Sequence, residues 1–343
     1  MPRPTDPPAP VPAPPEPEVP GKPPTAAPAA RARSRAAAAR GTAARRTLRI
    51  THPERVIDAS TGLTKLDLVR HYEQVAELML NHLKDRPVAL LRAPQGIGGE
   101  VFFQKHLDAD LPGIEQLDPA LSPDHAPWIA VAKAEGLVAA AQWNTVEFHT
   151  QNALTQRFEE PNRLVFDLDP GEGVVWARVR EGAQLVKGLL DELGLVPFLK
   201  TSGGKGLHVV VPLRPEHDWD IVKDFSQAVV QHLAQTLPDR FVAKSGPRNR
   251  VGKVFVDYLR NGRGATTVSA WSARARPGMG VSVPLEWDEL PELRGGDHWG
   301  LPNLAPRLAV GNTPWASYAR RARSLDGAMK RLGFEPAASA HAN

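Results

Sequence analysis

The sequence predicts a mixed α+β domain rather than a doubly wound parallel sheet. Candidate strands and amphipathic helices alternate along the chain without a regular period, and no internal repeat is present. Hydrophobic residues make up 42% of the chain and charged residues 23%, which is typical of a globular protein. At 343 residues, the chain is long enough to bury a substantial core in one large domain or two modest ones.

The spacing of apolar residues predicts the individual elements. The first helix has Thr64 as its N-cap and is closed by Pro87, and its apolar positions repeat every three or four residues. Helices are predicted over residues 65–84, 174–193, 219–237 and 317–332. Strands are predicted over residues 88–91, 129–132, 146–149, 163–169, 196–201, 207–213 and 253–259.

The two ends of the chain differ in composition from its centre. Thirteen of the 34 prolines fall in residues 1–28, and residues 29–46 are rich in alanine and arginine with no acid. Such a segment cannot bury enough apolar surface to offset its ordering entropy, so residues 1–46 are predicted to be a disordered arm. The arm carries a net charge of +5 and serves either as a solubilising linker or as a nucleic-acid-binding arm. The folded domain is predicted over residues 47–335, followed by a short disordered tail over residues 336–343.

Composition also excludes several classes of protein. Cysteine is absent, which excludes disulfide scaffolds, cysteine-ligated zinc, iron–sulfur clusters and cysteine nucleophiles. No apolar run approaches the roughly 20 residues of a membrane-spanning helix, and the start lacks the apolar segment of a secretory signal. We therefore expect a soluble cytoplasmic protein without a membrane partner.

Two aspartates, Asp167 and Asp169, end the predicted strand over residues 163–169. Because side chains alternate along a strand, both carboxylates project from one face. Neighbouring carboxylates repel and aspartate disfavours strands, so the pair is typical of a divalent-cation site. Asp257 is a third acid in an apolar strand, and three strand-borne aspartates fit a two-metal site. The alternative is that Asp169 only begins a turn and that Asp167 is an isolated surface acid.

A glycine-rich loop at residues 201–208 suggests phosphate binding. Glycines let backbone N–H groups approach phosphate oxygens closely. Ser202 and Lys205 add a hydroxyl and a positive charge, and His208 can donate a hydrogen bond. The spacing differs from that of a Walker A loop, and the alternative is a glycine-rich hairpin with a surface lysine.

Phe102 and Phe103 are adjacent in a short apolar segment. If the segment is a regular strand, neighbouring residues face opposite ways, so only one ring fits the core and the other is free to stack on a base. If the segment bends, both rings can pack in the core. The expectation from the pattern alone is that both rings pack in the core at a bend.

Taken together and in order, these motifs resemble those of the archaeo-eukaryotic primase superfamily. They are most similar to the polymerase domain of bacterial DNA ligase D, which acts in non-homologous end joining. The resemblance covers about residues 48–333 and is carried by THPERVIDASTGLTK, GEVFFQKH, WNTVEFHT, RLVFDLDPGEG, LKTSGGKGLH, GKVFVDYLRNGRG, SARARPG and PLEWDEL. It implies the primase-polymerase fold, with mixed β-sheets, flanking helices and a catalytic core like that of an RNA-recognition motif.

The resemblance also implies roles for particular residues. Asp167, Asp169 and Asp257 match the metal-binding aspartates. The residues that match binders of the incoming nucleotide are Ser202, Lys205, His208, His149 and Arg274. Phe102 and Phe103 match an aromatic pair that stacks on DNA bases, whereas Lys65 and Arg55 match two residues that bind a 5′-phosphate. Lysine is usual at the second of these positions, so Arg55 keeps the charge but changes the geometry.

The implied activity is template-dependent nucleotide transfer with two Mn²⁺ or Mg²⁺ ions per active site, which includes primase and terminal transferase activity. Nucleoside triphosphates, ribonucleotides among them, are the implied substrates. Implied partners are gapped DNA, DNA ends with a 5′-phosphate, Ku and a DNA ligase. The sequence contains no ligase nucleophile motif, which leaves open a stand-alone polymerase or a domain of a larger ligase.

Two other functions use parts of the same pattern. A metal-dependent nuclease or phosphatase could use the three aspartates but would not need a triphosphate-binding loop. A non-catalytic DNA-end-binding module would keep the aromatic and basic residues but would not need all three aspartates.

Overall fold

The computed structural model of the protein describes residues 49–336. The predicted arm over residues 1–46 and nearly all of the predicted C-terminal tail therefore lie outside the described residues. The α-helices are α1 (Lys65–Leu83), α2 (Ala134–Gln142), α3 (Trp176–Glu192), α4 (Trp219–Thr236), α5 (Ala305–Val310) and α6 (Asp326–Leu332). None of the helices in this range is long and apolar enough to span a membrane.

The strands are short and build two larger sheets. They are β1 (Val56–Asp58), β2 (Leu63–Thr64), β3 (Val88–Arg92), β4 (Phe102–Gln104), β5 (Ile114–Gln116), β6 (Ile129–Val131), β7 (Thr145–Thr150), β8 (Arg163–Pro170), β9 (Phe198–Thr201), β10 (Leu207–Pro212), β11 (Phe241–Val242), β12 (Val254–Asp257), β13 (Thr267–Val268) and β14 (Pro284–Leu285). The first sheet has the order β11-β12-β8-β10-β9-β14, and the second has the order β13-β7-β3-β6-β5 with β4 beside β3. Every pair is antiparallel except β11 with β12, which confirms the predicted α+β class.

The start of α1 is set by its own first turn. Thr64 and Asp67 form a capping box, in which each side chain accepts a hydrogen bond from the backbone N–H of the other. This confirms Thr64 as the N-cap. The helix buries one stripe that includes Leu68, Tyr72 and Met79 against the core, as its apolar spacing predicts.

The two faces of β8 have opposite chemistry because side chains alternate along the strand. One face buries Leu164, Phe166 and Leu168, and Gly182 of α3 lies against the Leu168 side chain. The other face begins with Arg163, whose guanidinium donates a 3.0 Å hydrogen bond to the carbonyl oxygen of Gln151 beyond β7. The polar face of the first sheet is therefore in contact with the end of a strand of the second sheet.

The structure corrects two predicted elements. The helix predicted over residues 317–332 is interrupted, because the backbone of Arg323 pairs with the end of β10 and only Asp326–Leu332 continues as an α-helix. The strand predicted over residues 253–259 ends at Asp257, whose carboxylate accepts a 2.9 Å hydrogen bond from the Leu259 backbone N–H and turns the chain. Helix α2 was not predicted at all.

A buried side chain extends the first sheet where β12 ends. Asn261 is fully buried, and its side-chain amide exchanges two hydrogen bonds of 2.8 and 2.9 Å with the backbone N–H and carbonyl oxygen of Val165. The amide thus replaces a missing strand neighbour of β8. This contact holds the turn after Asp257 against the middle of β8.

Burial of His71 on α1 makes the stability of the fold depend on pH. Its Nε2 lies 3.0 Å from the carbonyl oxygen of Trp271, and burial lowers its pKa from 6.5 to about 4. As the pH falls, His71 takes up its proton at a higher pH in the unfolded chain than in the folded chain. The free energy of unfolding therefore falls as the pH drops from about 6.5 to about 4. We expect His71→Gln to remove up to about 3 kcal/mol of this pH dependence, measured by urea unfolding at several pH values.

The matched control is His232→Gln, because His232 is an exposed histidine on α4. Its unfolding should follow the wild-type pH dependence. Equal pH dependence of the wild type and of His71→Gln would contradict the assignment.

Candidate active site

Three aspartates meet on one face of the first sheet. Strands β8 and β12 pair with Asp167 directly opposite Asp257, and Asp169 lies two residues further along the same face of β8. One carboxylate oxygen from each aspartate can be chosen so that all three lie within 4.8 Å of one another. The common face of Asp167 and Asp169 is the one that alternation along the strand predicts, whereas Asp257 lies at the end of its strand rather than in the middle of it.

The three carboxylates differ in their electrostatic surroundings. Burial alone would raise the pKa of Asp167, but the neighbouring His208 and Arg260 hold its pKa well below the ordinary range. Burial and the negative charge of Asp167 raise the pKa of Asp169. Burial also raises the pKa of Asp257. The ionised forms of Asp169 and Asp257 are therefore destabilised by burial and by the charge of Asp167, and a bound cation would stabilise them.

Two arginines partly neutralise the cluster, and sequence reasoning missed both. Arg250 Nη1 lies 3.1 Å from Asp169 Oδ2, and Arg260 Nε lies 3.1 Å from Asp257 Oδ2. Both guanidiniums are partly exposed, so they can move away when another cation binds. Arg260 follows Asp257 by three residues in a turn, which is a weak sequence signal, whereas nothing in the sequence links Arg250 to Asp169.

His208 belongs to the aspartate cluster rather than to the exposed part of the loop. It pairs with Asp167 across β10 and β8, and its Nε2 lies 3.2 Å from Asp167 Oδ1. Burial lowers its pKa to about 4, so the neutral ring donates Nε2–H to the carboxylate at pH 7. Its Nδ1 is buried and has no hydrogen-bond partner within residues 49–336. Lys200, which sequence reasoning also missed, is the next residue in this row across the sheet.

The glycine-rich loop is held by its own serine. Ser202 Oγ accepts hydrogen bonds of 3.1 and 3.2 Å from the backbone N–H groups of Gly204 and Gly206. A Cβ atom at Gly206 would lie 2.0 Å from the Leu168 carbonyl oxygen, so the loop can cross β8 only with glycine there. Lys205 is exposed beside a cavity of about 680 Å³. The cavity is also lined by Arg250, which contacts Asp169, so the loop presents its lysine to a cavity that borders the aspartate cluster.

Glu147 connects two predicted site residues, and sequence reasoning missed it. The buried carboxylate accepts hydrogen bonds of 2.8 Å from His149 Nε2 and 3.0 Å from Arg274 Nε. Burial raises its pKa, but these two partners together lower it to about 2. Arg274 also donates a 2.6 Å hydrogen bond to the carbonyl oxygen of Ser202. This network joins β7 to the glycine-rich loop.

Both rings of the aromatic pair are exposed, which corrects the expectation, drawn from the pattern alone, that both pack in the core. Phe102 is 42% exposed and Phe103 is 49% exposed on β4. Strand β4 pairs with the end of β3, with Phe103 opposite Leu91 and Phe102 opposite Arg92. The Phe103 ring meets the His149 ring edge to face at 5.2 Å, so the pair borders the Glu147 network.

Lys65 and Arg55, which the resemblance assigns to one phosphate site, lie close together in the structure. The Lys65 backbone N–H donates a 2.8 Å hydrogen bond to the Arg55 carbonyl oxygen. Burial and the charge of Arg55 both lower the pKa of Lys65. Its Nζ lies 3.5 Å from Thr51 Oγ1, and Arg55 donates to the side chain of Asn144. Two cations with neutral partners therefore share one end of α1.

The aspartate cluster fits a hard divalent cation. Its donors are carboxylate oxygens, and the chain has no cysteine. Oxygen ligands suit Mg²⁺ and Mn²⁺ rather than soft metals.

Comparison with known proteins is consistent with this geometry. Residues 64–315 match the family model of the LigD primase-polymerase domain. The multifunctional non-homologous end joining protein LigD of Pseudomonas aeruginosa is 53% identical over 297 residues, which cover 86% of this chain and 35% of that protein. LigD of Mycolicibacterium smegmatis is 35% identical over 72% of this chain and 33% of its own length. The chain thus spans roughly a third of the length of these curated relatives.

A solved structure shares the fold. The polymerase domain of Mycobacterium tuberculosis ligase D, in complex with DNA, superposes with a TM-score of 0.73 at 32% sequence identity. The match covers 80% of this chain and 99% of that domain. The primase-polymerase fold expected from the motifs is confirmed.

The acidic cluster predicts a measurable metal affinity. We expect Mn²⁺ to bind the protein and Asp257→Asn to weaken binding by about tenfold or more, because a ligand is lost while side-chain size is kept. Isothermal titration calorimetry measures this difference. Asp191→Asn, which changes an exposed aspartate of α3, is the matched control and should bind as the wild type does. Unchanged affinity in Asp257→Asn would exclude Asp257 as a ligand.

Proposed function

The chain belongs to the LigD primase-polymerase family, and from this premise we propose that it is a template-dependent nucleotidyltransferase. In this function it fills gaps and extends 3′ ends during repair of double-strand breaks by non-homologous end joining. The observation that carries the proposal is the triad of Asp167, Asp169 and Asp257 beside a lysine-bearing glycine loop. The same fold is seen in a relative bound to DNA.

The three aspartates hold two divalent cations in this proposal, with Mn²⁺ as the preferred metal and Mg²⁺ as the substitute. Bound divalent cations make a primer 3′-hydroxyl more acidic and stabilise the charge on leaving pyrophosphate. His208 donates a hydrogen bond to Asp167 and so fixes the orientation of that carboxylate. Its Nδ1 is an acceptor in this tautomer and is buried, so His208 acts on the bound nucleotide through Asp167.

The residues around the triad bind the incoming nucleotide. Ser202 holds the turn of the loop, and Lys205 reaches the triphosphate from the cavity of about 680 Å³. Glu147 orients His149 and Arg274 toward the same region, because it accepts a hydrogen bond from each of them. We propose both ribonucleoside and deoxyribonucleoside triphosphates as substrates.

The exposed aromatic pair and the paired cations bind DNA in this proposal. Phe102 and Phe103 offer two ring faces on which unpaired bases stack, which is worth about 1–3 kcal/mol per base. Lys65 and Arg55 bind the 5′-phosphate of the downstream strand. Ku and a DNA ligase are the proposed protein partners, and the bacterial cytoplasm is the proposed location.

The alternative functions account for less of the site. A nuclease or phosphatase would use the triad but leaves the loop that carries Lys205 without a role. A non-catalytic end-binding module has no use for three carboxylates that repel one another on adjacent strands. Release of pyrophosphate during extension of a primed template distinguishes the polymerase from both.

Loss of the triad should abolish nucleotide addition but not DNA binding. Asp167→Ala and Asp169→Ala each remove a metal ligand, whereas DNA is held by cations and aromatic rings. Primer extension on gapped DNA with Mn²⁺ measures activity, and fluorescence anisotropy measures binding. The exposed Asp191→Ala is the matched control and should retain both. Extension by either active-site variant at the wild-type rate would refute the assignment.

The cations at the start of α1 should recognise a terminal phosphate. Such a group carries more charge than an internal phosphodiester, and the N-terminus of α1 adds a partial positive charge. We expect gapped DNA with a downstream 5′-phosphate to bind more tightly than the same DNA with a 5′-hydroxyl. Lys65→Ala should erase this difference, which is about 1.5–3 kcal/mol for a charge-assisted hydrogen bond, in anisotropy titrations at fixed salt.

Arg70→Ala provides the control for general loss of charge. Arg70 is an exposed residue of the same helix and is five positions beyond Lys65. This variant should still bind the phosphorylated end more tightly than the hydroxyl end. Equal affinity of the wild type for the two ends would contradict a 5′-phosphate pocket and leave the polymerase assignment intact.

A further inference from the structure

A second cavity lies far from the aspartates, near the start of β8 and the end of α1. It has a volume of about 380 Å³, which is in the range of small-molecule sites. Its walls include Arg163, which precedes Asp167 on β8 by four residues, or roughly 13 Å along the strand. They also include His82, which is roughly 25 Å along α1 from Lys65. The cavity is therefore separate from the triad and from the paired cations.

Arg86 is the unusual residue of this cavity. It is only 7% exposed, and its Nη1 has no hydrogen-bond partner within residues 49–336. Burial and the charge of Arg163 lower its pKa to about 9, and neighbouring Asp85 offsets only part of this effect. The guanidinium is still charged at pH 7, and leaving a buried charge without a counter-charge is unfavourable.

Arg163 adds a second positive charge without a counter-charge. Its guanidinium donates to Asn152 Oδ1 at 2.8 Å and to the carbonyl oxygen of Gln151 at 3.0 Å, both of which are neutral. Neither Arg86 nor Arg163 forms a salt bridge with a carboxylate of the described chain. Burial lowers the pKa of His82 to about 4, and the charges of Arg163, Lys200 and Arg86 contribute to this shift. The interior is thus electropositive around the cavity.

Tyr318 supplies another unused donor at the cavity. Its hydroxyl is buried and has no hydrogen-bond partner in the described part of the chain. The Tyr318 ring stacks on the Trp315 ring at 5.1 Å with an interplanar angle of 8°, which fixes its position. Asn81 and Ala319 at the rim are exposed, so the cavity opens to solvent.

We propose that this cavity binds a small phosphate-bearing molecule. A phosphate monoester carries a charge of about −1.5 to −2 at pH 7, which balances the two guanidiniums of Arg86 and Arg163. Its oxygens accept hydrogen bonds from Arg86 Nη1 and the Tyr318 hydroxyl, the two donors that otherwise remain unpaired. Because a phosphate group fills only part of the volume, the remaining space accommodates the organic part of an ester.

The test compares phosphate binding in variants of the cavity. All proteins carry Lys205→Ala and Lys65→Ala, so that phosphate binding at the glycine-rich loop and at the start of α1 is removed equally from each. Inorganic phosphate, adenosine 5′-monophosphate and acetate are titrated at matched ionic strength, with thermal unfolding and calorimetry as readouts. We expect both phosphates to raise the melting temperature and acetate to have no effect. Tighter binding of the monophosphate than of inorganic phosphate would identify an ester as the occupant.

Two substitutions separate binding from a structural role. Tyr318→Phe keeps the stacked ring and should weaken phosphate binding by about tenfold. Arg86→Met should abolish it, yet leave the melting temperature in phosphate-free buffer unchanged or higher, because an unpaired buried charge is removed. Arg320→Met, which changes an exposed arginine two residues from Tyr318, is the matched control.

Equal stabilisation by phosphate in the control, in Tyr318→Phe and in Arg86→Met would overturn the proposal. So would destabilisation of Arg86→Met in phosphate-free buffer together with unchanged phosphate binding, which would show that Arg86 is structural. Neither outcome bears on nucleotide transfer, which is tested by primer extension with Lys205 intact.

Discussion

The register of β8 with its two neighbours is the constraint on which the site depends. It places Asp257, Asp167, His208 and Lys200 in one row across four strands. A shift of one residue in either pairing would turn the aspartates into the apolar core beneath α3. Leu164, Phe166 and Leu168 prevent such a shift, because they are fully buried only in the observed register. The apolar core thus fixes the position of the charges.

The two sheets are joined through polar contacts that also belong to the site. Glu147 of the second sheet holds Arg274, and Arg274 binds the backbone of the loop that leads into β10. Lys200 crosses in the other direction and donates a 3.0 Å hydrogen bond to the Val268 carbonyl oxygen. Because these side chains are buried, breaking one partner leaves an unpaired charge or donor. The relative position of the sheets and the geometry of the site are therefore determined by the same interactions.

Sequence reasoning identified the parts of the site that are local. Alternation along β8 placed Asp167 and Asp169 on one face, and the order of the motifs indicated the fold. It missed Glu147 and Arg250, because the bonds from Arg274 to Glu147 and from Arg250 to Asp169 join residues about 80 or more positions apart in sequence. The apolar pattern alone favoured core packing of Phe102 and Phe103, because hydrophobicity does not show whether another element covers a strand, whereas the family resemblance implied that the rings stack on DNA bases.

The C-terminal helix was mispredicted for a related reason. Residues 317–332 have helical composition, but backbone pairing of Arg323 with β10 outweighs local propensity. The cavity that contains Arg86 was likewise invisible in the sequence. Its walls come from α1, β8 and the segment around Trp315, which are brought together only by the tertiary fold.

The side chain of Asn261 has a consequence for motion within the sheet. Val165 lies midway between Arg163 and Asp167 on β8, yet its amide proton is protected by a side chain rather than by a neighbouring strand. Exchange of this proton with solvent requires only that the turn after Asp257 lifts away, and it does not require the strands to separate. The hydrogen-exchange rate of the Val165 amide therefore reports how often that turn opens while the strands of the sheet stay paired.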